Sequence, residues 1–363
     1  MLDRVISSDS HVMEPFDLWT RALGPRFGDR VPPLVKRYDG LDGDFFFCGR
    51  ETARVDELMV AGASDALMAK LIAAGADPGV RGAMLDEEGI AAEVLNATWT
   101  LYMMRIEDGE LRRACCRVFN DWLGDFCRAS PKRFLGVAMV PIDDVEWGVR
   151  ELERVRKLGL RGVMVPTNPI AGARPYRDPS YDRFWAAAVA HRLPVTLHIV
   201  TGAVRDPFTY LSKDERPEFP RSYVEIFNEA APVLASEFIF GGVLDRFPAL
   251  TLFLSEYDAF WIPNFKFRVA RMARFGLLPA PKRSADEYVR DNIFLGILAD
   301  PLAMRLRDEI GVDQLMWGSD FPHPGGQYPD TKGRLAAYLG DAPAAVQRKI
   351  AADNVVKLYD IEL

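Results

Sequence analysis

Apolar, β-branched stretches alternate with stretches of helical periodicity along this 363-residue chain. Such alternation is typical of βα units, whose strands pair in parallel. Eight of the apolar stretches are predicted strands, which is the number that closes a (β/α)8 barrel. The chain is therefore expected to form one α/β domain, a TIM barrel over residues 1–363. The predicted strands are Val5–Ser8, Ala92–Ala97, Phe134–Val140, Gly162–Pro166, Pro194–His198, Thr251–Ser255, Ile293–Leu298 and Leu315–Ser319.

Two connections between predicted strands are longer than a minimal barrel requires. Residues from about 20 to 89 follow strand 1, and residues from about 201 to 219 follow strand 5. Long insertions in a compact domain often serve as lids or binding loops. Because both leave from the carboxyl ends of strands, where barrel enzymes carry their chemistry, they are expected to cover a site.

Apolar residues at helical spacing predict helices between the strands, the longest over Gly109–Ala129. Another predicted helix, Arg221–Ala235, contains Pro232. Proline lacks a backbone N–H and its ring clashes with the preceding turn, so this helix should end or kink. For a third helix, over residues 181–191, either Asp178 or Ser180 is the predicted N-cap.

Composition and charge exclude several classes of protein. The net charge is −7, and no run of Lys or Arg forms a basic stripe, so no nucleic-acid partner is expected. No apolar stretch approaches the length of a membrane span, and the amino terminus lacks the pattern of a signal peptide. The four cysteines form no C-x-x-C pair and are expected to be reduced thiols. A cytoplasmic enzyme with no membrane partner is the expectation.

Three of the four histidines lie where predicted strands end. Asp9 and His11 follow the first strand, and alternate residues of an extended segment point the same way, so both can face one cation. His198 ends the fifth strand, and Asp320 follows the eighth. Because the carboxyl ends of barrel strands open onto one face, these four side chains are expected to meet.

Two imidazoles and two carboxylates form an N₂O₂ ligand set that suits Zn²⁺ or Mn²⁺ better than a soft metal. One divalent ion is therefore predicted, with zinc as the first expectation and manganese as the alternative. Each residue alone has an ordinary explanation. His198 can be a satisfied core residue, and Asp320 can be a turn former. Only the combination indicates a metal site.

His323 lies three residues beyond Asp320, between two prolines that restrict its backbone. It is predicted to face the pocket, where it would bind substrate or shuttle a proton, with tethering of the loop as the alternative. His191 is different, because it ends a predicted helix, where a cation favours the helix dipole. It is expected to be structural.

Five motifs of this chain resemble the amidohydrolase-2 branch of the amidohydrolase superfamily. That branch includes aminocarboxymuconate semialdehyde decarboxylase and the resorcylate and carboxyvanillate decarboxylases. The resemblance runs nearly end to end and implies a barrel that holds one divalent metal, with ligand positions matching Asp9, His11, His198 and Asp320. Family members are often oligomers, so a homo-oligomer is expected. The motifs are Asp9–Pro15, Pro194–His198, Gly241–Pro248, Trp317–Pro324 and Asp353–Tyr359.

Two positions depart from the family pattern. Many members open with His-x-His or Glu-x-His, whereas this chain has Asp9 at the first ligand. In the decarboxylases the sixth strand usually ends in a histidine, whereas Glu256 stands at that position here. Glu256 is a candidate general base, a partner of His198 or Arg268, or a support for a metal ligand. A structural role is the alternative.

Side chains in the loops beyond the strands are candidates for substrate contact. Phe16, Trp99 and Tyr102 follow the first two strands and are predicted to form an apolar wall. Arg205 follows the His198 strand and is a candidate partner for a substrate carboxylate, with a solvated arginine as the alternative.

The resemblance implies non-oxidative decarboxylation of a small aromatic or unsaturated carboxylic acid. In that hypothesis Asp320 or Glu256 delivers a proton as CO₂ leaves. Glu256 in place of histidine keeps a second hypothesis open, in which a metal-activated water hydrolyses an ester, lactone or amide. A third hypothesis, from another class, is a barrel that has lost catalysis and binds a small ligand.

Overall fold

The computed structural model describes residues 3–48, 51–55 and 64–362. Within these ranges eight parallel strands form one sheet in which neighbours follow chain order, so the predicted TIM barrel is confirmed. The barrel consists of β1 and β5–β11, while β2–β4 form a separate antiparallel sheet. In chain order the strands are Ile6–His11 (β1), Leu34–Tyr38 (β2), Leu41–Cys48 (β3), Glu51–Arg54 (β4), Ala92–Asn96 (β5), Phe134–Met139 (β6), Gly162–Met164 (β7), Val195–His198 (β8), Leu252–Ser255 (β9), Ile293–Ile297 (β10) and Leu315–Trp317 (β11).

The first and last barrel strands meet at a junction that we call the barrel seam. The N–H groups of Ser319 and Asp320 donate to the carbonyl oxygen of Asp9 at 3.1 and 2.9 Å. The N–H of His11 donates to the carbonyl oxygen of Phe321 at 2.6 Å. The seam therefore places Asp9, His11 and Asp320 side by side, although they lie far apart in the sequence.

Strand β1 is polar and nevertheless buried along its whole length. The hydroxyl groups of Ser7, Ser10 and Ser319 hydrogen-bond to one another at 2.8–3.0 Å. Such pairing offsets the cost of removing hydroxyl groups from water. The strand continues to His11, three residues beyond its predicted end at Ser8, because Ser10 and His11 pair in parallel with Leu95 and Asn96 of β5.

Helices pack around the barrel, and none of those in the described ranges is long and apolar enough to cross a membrane. They are Leu18–Phe27 (α1), Asp65–Ala76 (α2), Pro78–Glu88 (α3), Trp99–Met103 (α4), Gly109–Arg128 (α5), Val145–Lys157 (α6), Asp182–Ala190 (α7), Phe219–Asn228 (α8), Ala230–Val233 (α9), Val243–Arg246 (α10), Ile262–Ala273 (α11), Ala285–Asn292 (α12), Pro301–Arg305 (α13), Arg307–Ile310 (α14), Thr331–Leu339 (α15), Ala344–Arg348 (α16) and Asn354–Tyr359 (α17).

The interruption predicted near Pro232 is confirmed. Helix α8 ends at Asn228, whose carbonyl the Pro232 ring would meet if the helix continued. The short helix α9 and a π-helical segment, Leu234–Ile239, follow. Of the two predicted caps before α7, Asp178 is the one observed. Its carboxylate accepts the N–H of Ser180 at 2.9 Å and begins a 3₁₀ turn.

The insertion after β1 contains α1, the sheet β2–β4, α2 and α3. Within it, the ring centroid of Phe46 lies 5.9 Å from that of Trp19. The insertion contacts the barrel through Trp99 of α4, whose ring centroid lies 5.3 Å from that of Phe46. All three rings are buried, so this insertion is part of the hydrophobic core.

The insertion after β8 lies against the first insertion. The N–H of Tyr210 donates to the carbonyl oxygen of Thr52 at 2.8 Å, and its hydroxyl donates to Asp39 at 2.6 Å. Asp206 and Phe208, from the same insertion, line a cavity at the carboxyl ends of the strands. The second insertion therefore contributes two side chains to the wall of this cavity.

Candidate metal centre and active site

The imidazoles of His11 and His198 face each other at the carboxyl end of the barrel, with ring centroids 5.1 Å apart. Nδ1 of His11 lies 2.6 Å from the carbonyl oxygen of Ala97, and Nδ1 of His198 lies 2.9 Å from that of Ile199. A carbonyl oxygen only accepts, so each Nδ1 carries a proton. Each ring is therefore oriented with Nε2 toward the cavity, as in histidine metal ligands.

Asp9 lies beside both imidazoles. Its Oδ1 is 3.5 Å from Nε2 of His11, and its Oδ2 is 3.8 Å from Nε2 of His198. The side-chain amide of Asn96 donates to Oδ1 at 2.6 Å, and the hydroxyl of Ser255 donates to Oδ2 at 2.5 Å. These two bonds hold the carboxylate in one orientation. In the sequence, the only indication of these two bonds is that β5 and β9 each end in a polar residue, Asn96 and Ser255.

Glu256 directly follows β9 and reaches between the two imidazoles. Its Oε1 lies 3.1 Å from Nε2 of His11 and 3.3 Å from Nε2 of His198. The first of these contacts has hydrogen-bond geometry. Of the partners predicted for Glu256, the structure places His198 next to it. Glu256 also lies within the cluster of candidate metal ligands.

Asp320 approaches the cluster from the seam, with Oδ1 3.5 Å from Nε2 of His11. His323 follows on the same loop, and its ring centroid lies 4.3 Å from that of His11. Its Nε2 lies 3.4 Å from the hydroxyl of Thr98. The structure therefore brings together the predicted ligands Asp9, His11, His198 and Asp320, with His323 at the edge of the cluster.

Two of these acids have a left-handed backbone conformation, with φ of +64° at Glu256 and +50° at Asp320. Such a conformation costs a residue other than glycine about 1–3 kcal/mol and persists only where the surroundings enforce it. Glu256 comes directly after β9, and Asp320 lies three residues beyond the end of β11. The strained turns aim their carboxylates at the barrel axis, and such strain is common at functional sites.

Burial and mutual charge shift the pKa values of Asp320, His198 and Glu256. Burial raises the pKa of Asp320 well above its usual range, and the negative charges of Glu256 and Asp9 raise it further. Burial opposes the shift at His198, but the carboxylates of Glu256 and Asp9 raise its pKa to about 9. Burial acts to raise the pKa of Glu256, but the charge of His198 and the hydrogen bond from His11 outweigh it and bring that pKa well below its usual value.

The chemistry of this cluster fits a divalent cation. Ligand atoms of Asp9, His11, His198 and Glu256 all lie within 4.8 Å of one another, and the same holds for His11, Asp320 and His323. Nε2 of His198 and Oδ1 of Asp320 are buried without a hydrogen-bond partner among the described residues. Buried polar atoms are normally satisfied. A cation beside either atom would give it a partner.

A cavity of about 350 Å³ opens from this cluster toward solvent. That volume lies within the range of pockets for small ligands. Tyr102, Asp206 and Phe208 line it together with the cluster. Of the predicted substrate contacts, Tyr102 is therefore placed in the cavity wall.

The structure does not bring Phe16, Trp99 or Arg205 to this cavity. The Trp99 ring is fully buried, with Phe16 at 5.5 Å and Phe46 at 5.3 Å between ring centroids. Arg205 forms an ion pair with Glu215 at 2.7 Å and faces another part of the surface. Phe16 and Trp99 therefore pack behind the cavity wall, and Arg205 lies in a surface ion pair.

Arg81 supports the seam from beneath and was not predicted from the sequence. Its guanidinium donates to both carboxylate oxygens of Glu93 at 2.6 and 3.0 Å, and to the carbonyl oxygen of His11 at 3.0 Å. It also lies over the Phe321 ring, 4.2 Å from the centroid. An arginine on a helix is normally exposed, so the sequence carried no signal for this role.

A parallel barrel with two imidazoles and three carboxylates at the carboxyl ends of its strands defines the class of this protein, a TIM barrel with a candidate divalent-metal centre. The Amidohydro_2 family model, described as amidohydrolase, matches residues 74–361, and the chain belongs to this family.

Relatives of known identity support the same placement. A gamma-resorcylate decarboxylase from Polaromonas sp. (strain JS666 / ATCC BAA-500) is 28% identical over 254 residues, which cover 66% of this chain and 75% of the relative. The fold is that of an amidohydrolase from Mycobacterium avium subsp. paratuberculosis K-10, with a TM-score of 0.79, 21% identity and 100% of both chains covered. A dihydroxybenzoic acid decarboxylase from Polaromonas sp. JS666, solved with manganese and 2-nitroresorcinol, gives a TM-score of 0.70 at 21% identity, over 99% of this chain and 97% of that one.

Proposed function

We propose that this protein is a metal-dependent, non-oxidative decarboxylase of a small aromatic or unsaturated carboxylic acid. The observation that carries the proposal is the position of the Asp320 carboxyl group, which is buried, lines the cavity and lies with Oδ1 3.5 Å from Nε2 of His11. Decarboxylation needs a proton donor at the carbon that loses CO₂, and a neutral carboxyl group can supply the proton. The decarboxylases among the relatives support the same reaction.

We propose that one divalent ion is held by Asp9, His11, His198 and Asp320, with Glu256 as a further ligand. Carboxylates suit Mn²⁺ and imidazole suits Zn²⁺, so an excess of carboxylates favours manganese over the zinc expected from four ligands. The manganese in the dihydroxybenzoic acid decarboxylase supports this preference. When bound, the ion would act as a Lewis acid toward the carboxylate of the substrate and a neighbouring oxygen.

The residues of the chain divide the remaining work. Asp320 gives its proton to the substrate carbon, the bond from that carbon to the carboxylate breaks, and the electron pair of that bond forms the new C–H bond. CO₂ leaves, and Asp320 regains a proton from water. Glu256 is ionised by its two histidine neighbours, so it cannot be the proton donor. Between the two acids first considered, the geometry and charge favour Asp320.

Glu256 also gives the hydrolase hypothesis its specific support. An ionised carboxylate 3.1 Å from one candidate ligand and 3.3 Å from another is placed to accept a proton from a water molecule. In that case the product would gain an oxygen from water, and no CO₂ would be released. A cytoplasmic location and a homo-oligomeric state stay predictions from the sequence.

The test measures CO₂ release from a panel of phenolic acids by protein loaded with Mn²⁺ or Zn²⁺. We expect Asp320→Asn to lower kcat by a factor of about 10²–10⁴, the usual contribution of a general acid. Metal content is measured in the same preparations, because Asp320 is also a proposed ligand. The matched control is Asp360→Asn, since Asp360 shares the left-handed conformation, with φ of +49°, but is exposed at the end of α17.

Two results would contradict the proposal. If Asp320→Ala keeps both its metal and its activity, the assignment of the acid is wrong. If ¹⁸O from water enters the product of an ester or lactone while no acid in the panel releases CO₂, the protein is a hydrolase.

A further inference from the structure

The cavity wall is acidic. Asp206, Glu256, Asp258 and Asp320 line it, and among the described residues of the lining none is Arg or Lys. Arg205, the candidate partner of a substrate carboxylate, forms an ion pair with Glu215 outside the cavity. Apart from the two cluster histidines and His323, the lining therefore offers no basic side chain to an anionic group of a ligand.

Asp206 and Tyr102 form a hydrogen-bonded pair in this wall. Asp206 is 1% exposed, and its Oδ2 accepts the Tyr102 hydroxyl at 2.8 Å. Its Oδ1 accepts the N–H of Phe208 at 2.9 Å. Both side chains line the cavity, and both feel the charge of Glu256, so the pair lies within electrostatic reach of the metal cluster.

The pair can only accept hydrogen bonds from a ligand. The one proton of the Tyr102 hydroxyl is already donated to Asp206, which leaves the lone pairs of the phenolic oxygen. The Asp206 carboxylate has no proton to give and retains lone pairs on both oxygens beyond its two existing bonds. A ligand group that meets this wall must therefore be a donor, such as a hydroxyl or an amino group.

The part of the cavity next to this pair is aromatic. Phe208 and Tyr223 line it with ring centroids 5.8 Å apart, and Phe227 lies 5.2 Å from Tyr223. Aromatic rings prefer such edge-to-face surroundings. The wall thus combines faces for a planar ring with acceptors for a donor group on that ring.

We propose that Asp206 and Tyr102 determine substrate specificity, by selecting an aromatic acid with a single carboxylate and a hydrogen-bond donor on the ring. A second carboxylate is rejected, because it would meet the Asp206 carboxylate in a wall whose described lining contains no Arg or Lys; the Arg105 guanidinium, whose charge acts on Asp206, lies outside the lining. This inference rests on the proposed function, since it assumes that the metal cluster takes the first carboxylate.

The test uses calorimetric binding of salicylates to the Mn²⁺-loaded protein. The panel carries hydrogen, hydroxyl, amino or carboxyl as the further substituent at each free ring position. We expect at least one hydroxyl or amino isomer to bind about tenfold or more tighter than salicylate, as a hydrogen bond to a charged group would give. Every carboxyl isomer should bind more weakly than salicylate.

Two variants test whether Asp206 and Tyr102 cause the preference for a donor substituent. Asp206→Asn should remove the preference for the donor isomer and raise affinity for the carboxyl isomers, because an amide offers a donor and carries no charge. Tyr102→Phe keeps the ring and should weaken the donor preference, so it gives the answer if Asp206→Asn fails to fold. The matched control is Asp214→Asn, an exposed aspartate of the same insertion, which should keep the wild-type ranking.

The results separate this inference from the proposed function. If the acids bind but a carboxyl isomer binds as well as the donor isomers, or both variants keep the wild-type ranking, the inference is wrong and the proposed function stands. If no acid in the panel binds to protein that has its metal, the proposed function fails and this inference fails with it.

Discussion

At the scale of single residues, Glu256 decides the electrostatics of the cluster. It is the carboxylate closest to Nε2 of both imidazoles, and its charge is the main reason that His198 holds a proton at neutral pH in the absence of a cation. A metal must displace that proton to bind Nε2. Glu256 thus attracts the cation by its charge and also makes the histidine harder to deprotonate.

Glu256→Gln should lower the pKa of His198 from about 9 toward the ordinary value of a histidine in protein stripped of metal, because the imidazolium loses its anionic neighbour. At pH 8 the wild-type imidazole should therefore be mostly protonated and that of the variant mostly neutral. The measurement is an NMR titration of the ring protons, which four histidines make simple to assign.

The resonance of His191 serves as the internal reference in that titration, since it lies at the end of α7, away from the cluster. An unchanged titration of His198 in the variant would mean that Glu256 does not control its proton.

At the scale of elements, helix α3 belongs to the site although it contributes no ligand. Through Arg81 it holds the backbone of His11 and the ring of Phe321, which flank the barrel seam on its two strands. Its ion-pair partner Glu93 is equally buried, so removal of the arginine would leave the Glu93 carboxylate in the core without a partner.

We expect Arg81→Lys to weaken Mn²⁺ binding about 10–100-fold, the usual cost of losing a group that orients a ligand. Lysine keeps the charge but not the planar fork that contacts Glu93 and His11 together. The matched control is Arg112→Lys, because Arg112 is also buried and donates to the carbonyl oxygen of Ile106 and to Asp143 at 2.7 Å, outside the seam.

Both variants should lose stability in thermal denaturation, and only Arg81→Lys should lose metal affinity. Equal affinities in the two variants would show that Arg81 is merely structural.

The elements differ in how far sequence could predict them. Strands such as β6 are apolar throughout, and buried parallel strands produce that local pattern. The end of β1 is polar; it pairs in parallel with Leu95 and Asn96 of β5, and its other edge bonds to Ser319 and Phe321, so the prediction stopped at Ser8. Periodicity within one segment cannot show a partner 300 or so residues away.

The same reason separates the site residues that were predicted from those that were not. His198 and Asp320 could be predicted because they lie at or just beyond the ends of predicted strands. The placement of Arg205 and the roles of Arg81 and Asp206, which were not predicted, depend on side-chain partners in other elements or loops, which are Glu215, Glu93 and Tyr102. A charged side chain is placed by its partner, and the partner is known only once the chain has folded.

At the scale of the whole molecule, the cluster joins the beginning of the barrel to its end. Three buried carboxylates lie close together there, so the folded protein without a cation carries a penalty that the unfolded chain escapes. Binding of a cation should therefore stabilise the entire barrel and not only the loops around the site.

Addition of Mn²⁺ to metal-stripped protein at about 100 times its Kd should raise the unfolding free energy by about 2.7 kcal/mol and Tm by several degrees. At one fixed Mn²⁺ concentration the shift should be larger at pH 9 than at pH 7, because His198 must lose its proton before it can bind the ion. The measurement is thermal denaturation followed by circular dichroism.

His198→Asn should abolish most of this stabilisation, whereas His191→Asn, the matched control outside the cluster, should keep it. Retention of the full Tm shift in His198→Asn would contradict the ligand assignment.

During synthesis, β1 leaves the ribosome long before the strand that completes it. About 300 residues separate His11 from Asp320, so at about 5–20 residues per second the interval lasts roughly 15–60 s. Throughout that time the nascent chain exposes the edge of β1 that Ser319 and Phe321 later cover. An uncovered edge invites pairing with other chains. The serine-rich sequence of β1 suits this delay, because hydrated hydroxyl groups make the edge less adhesive than an apolar strand would be.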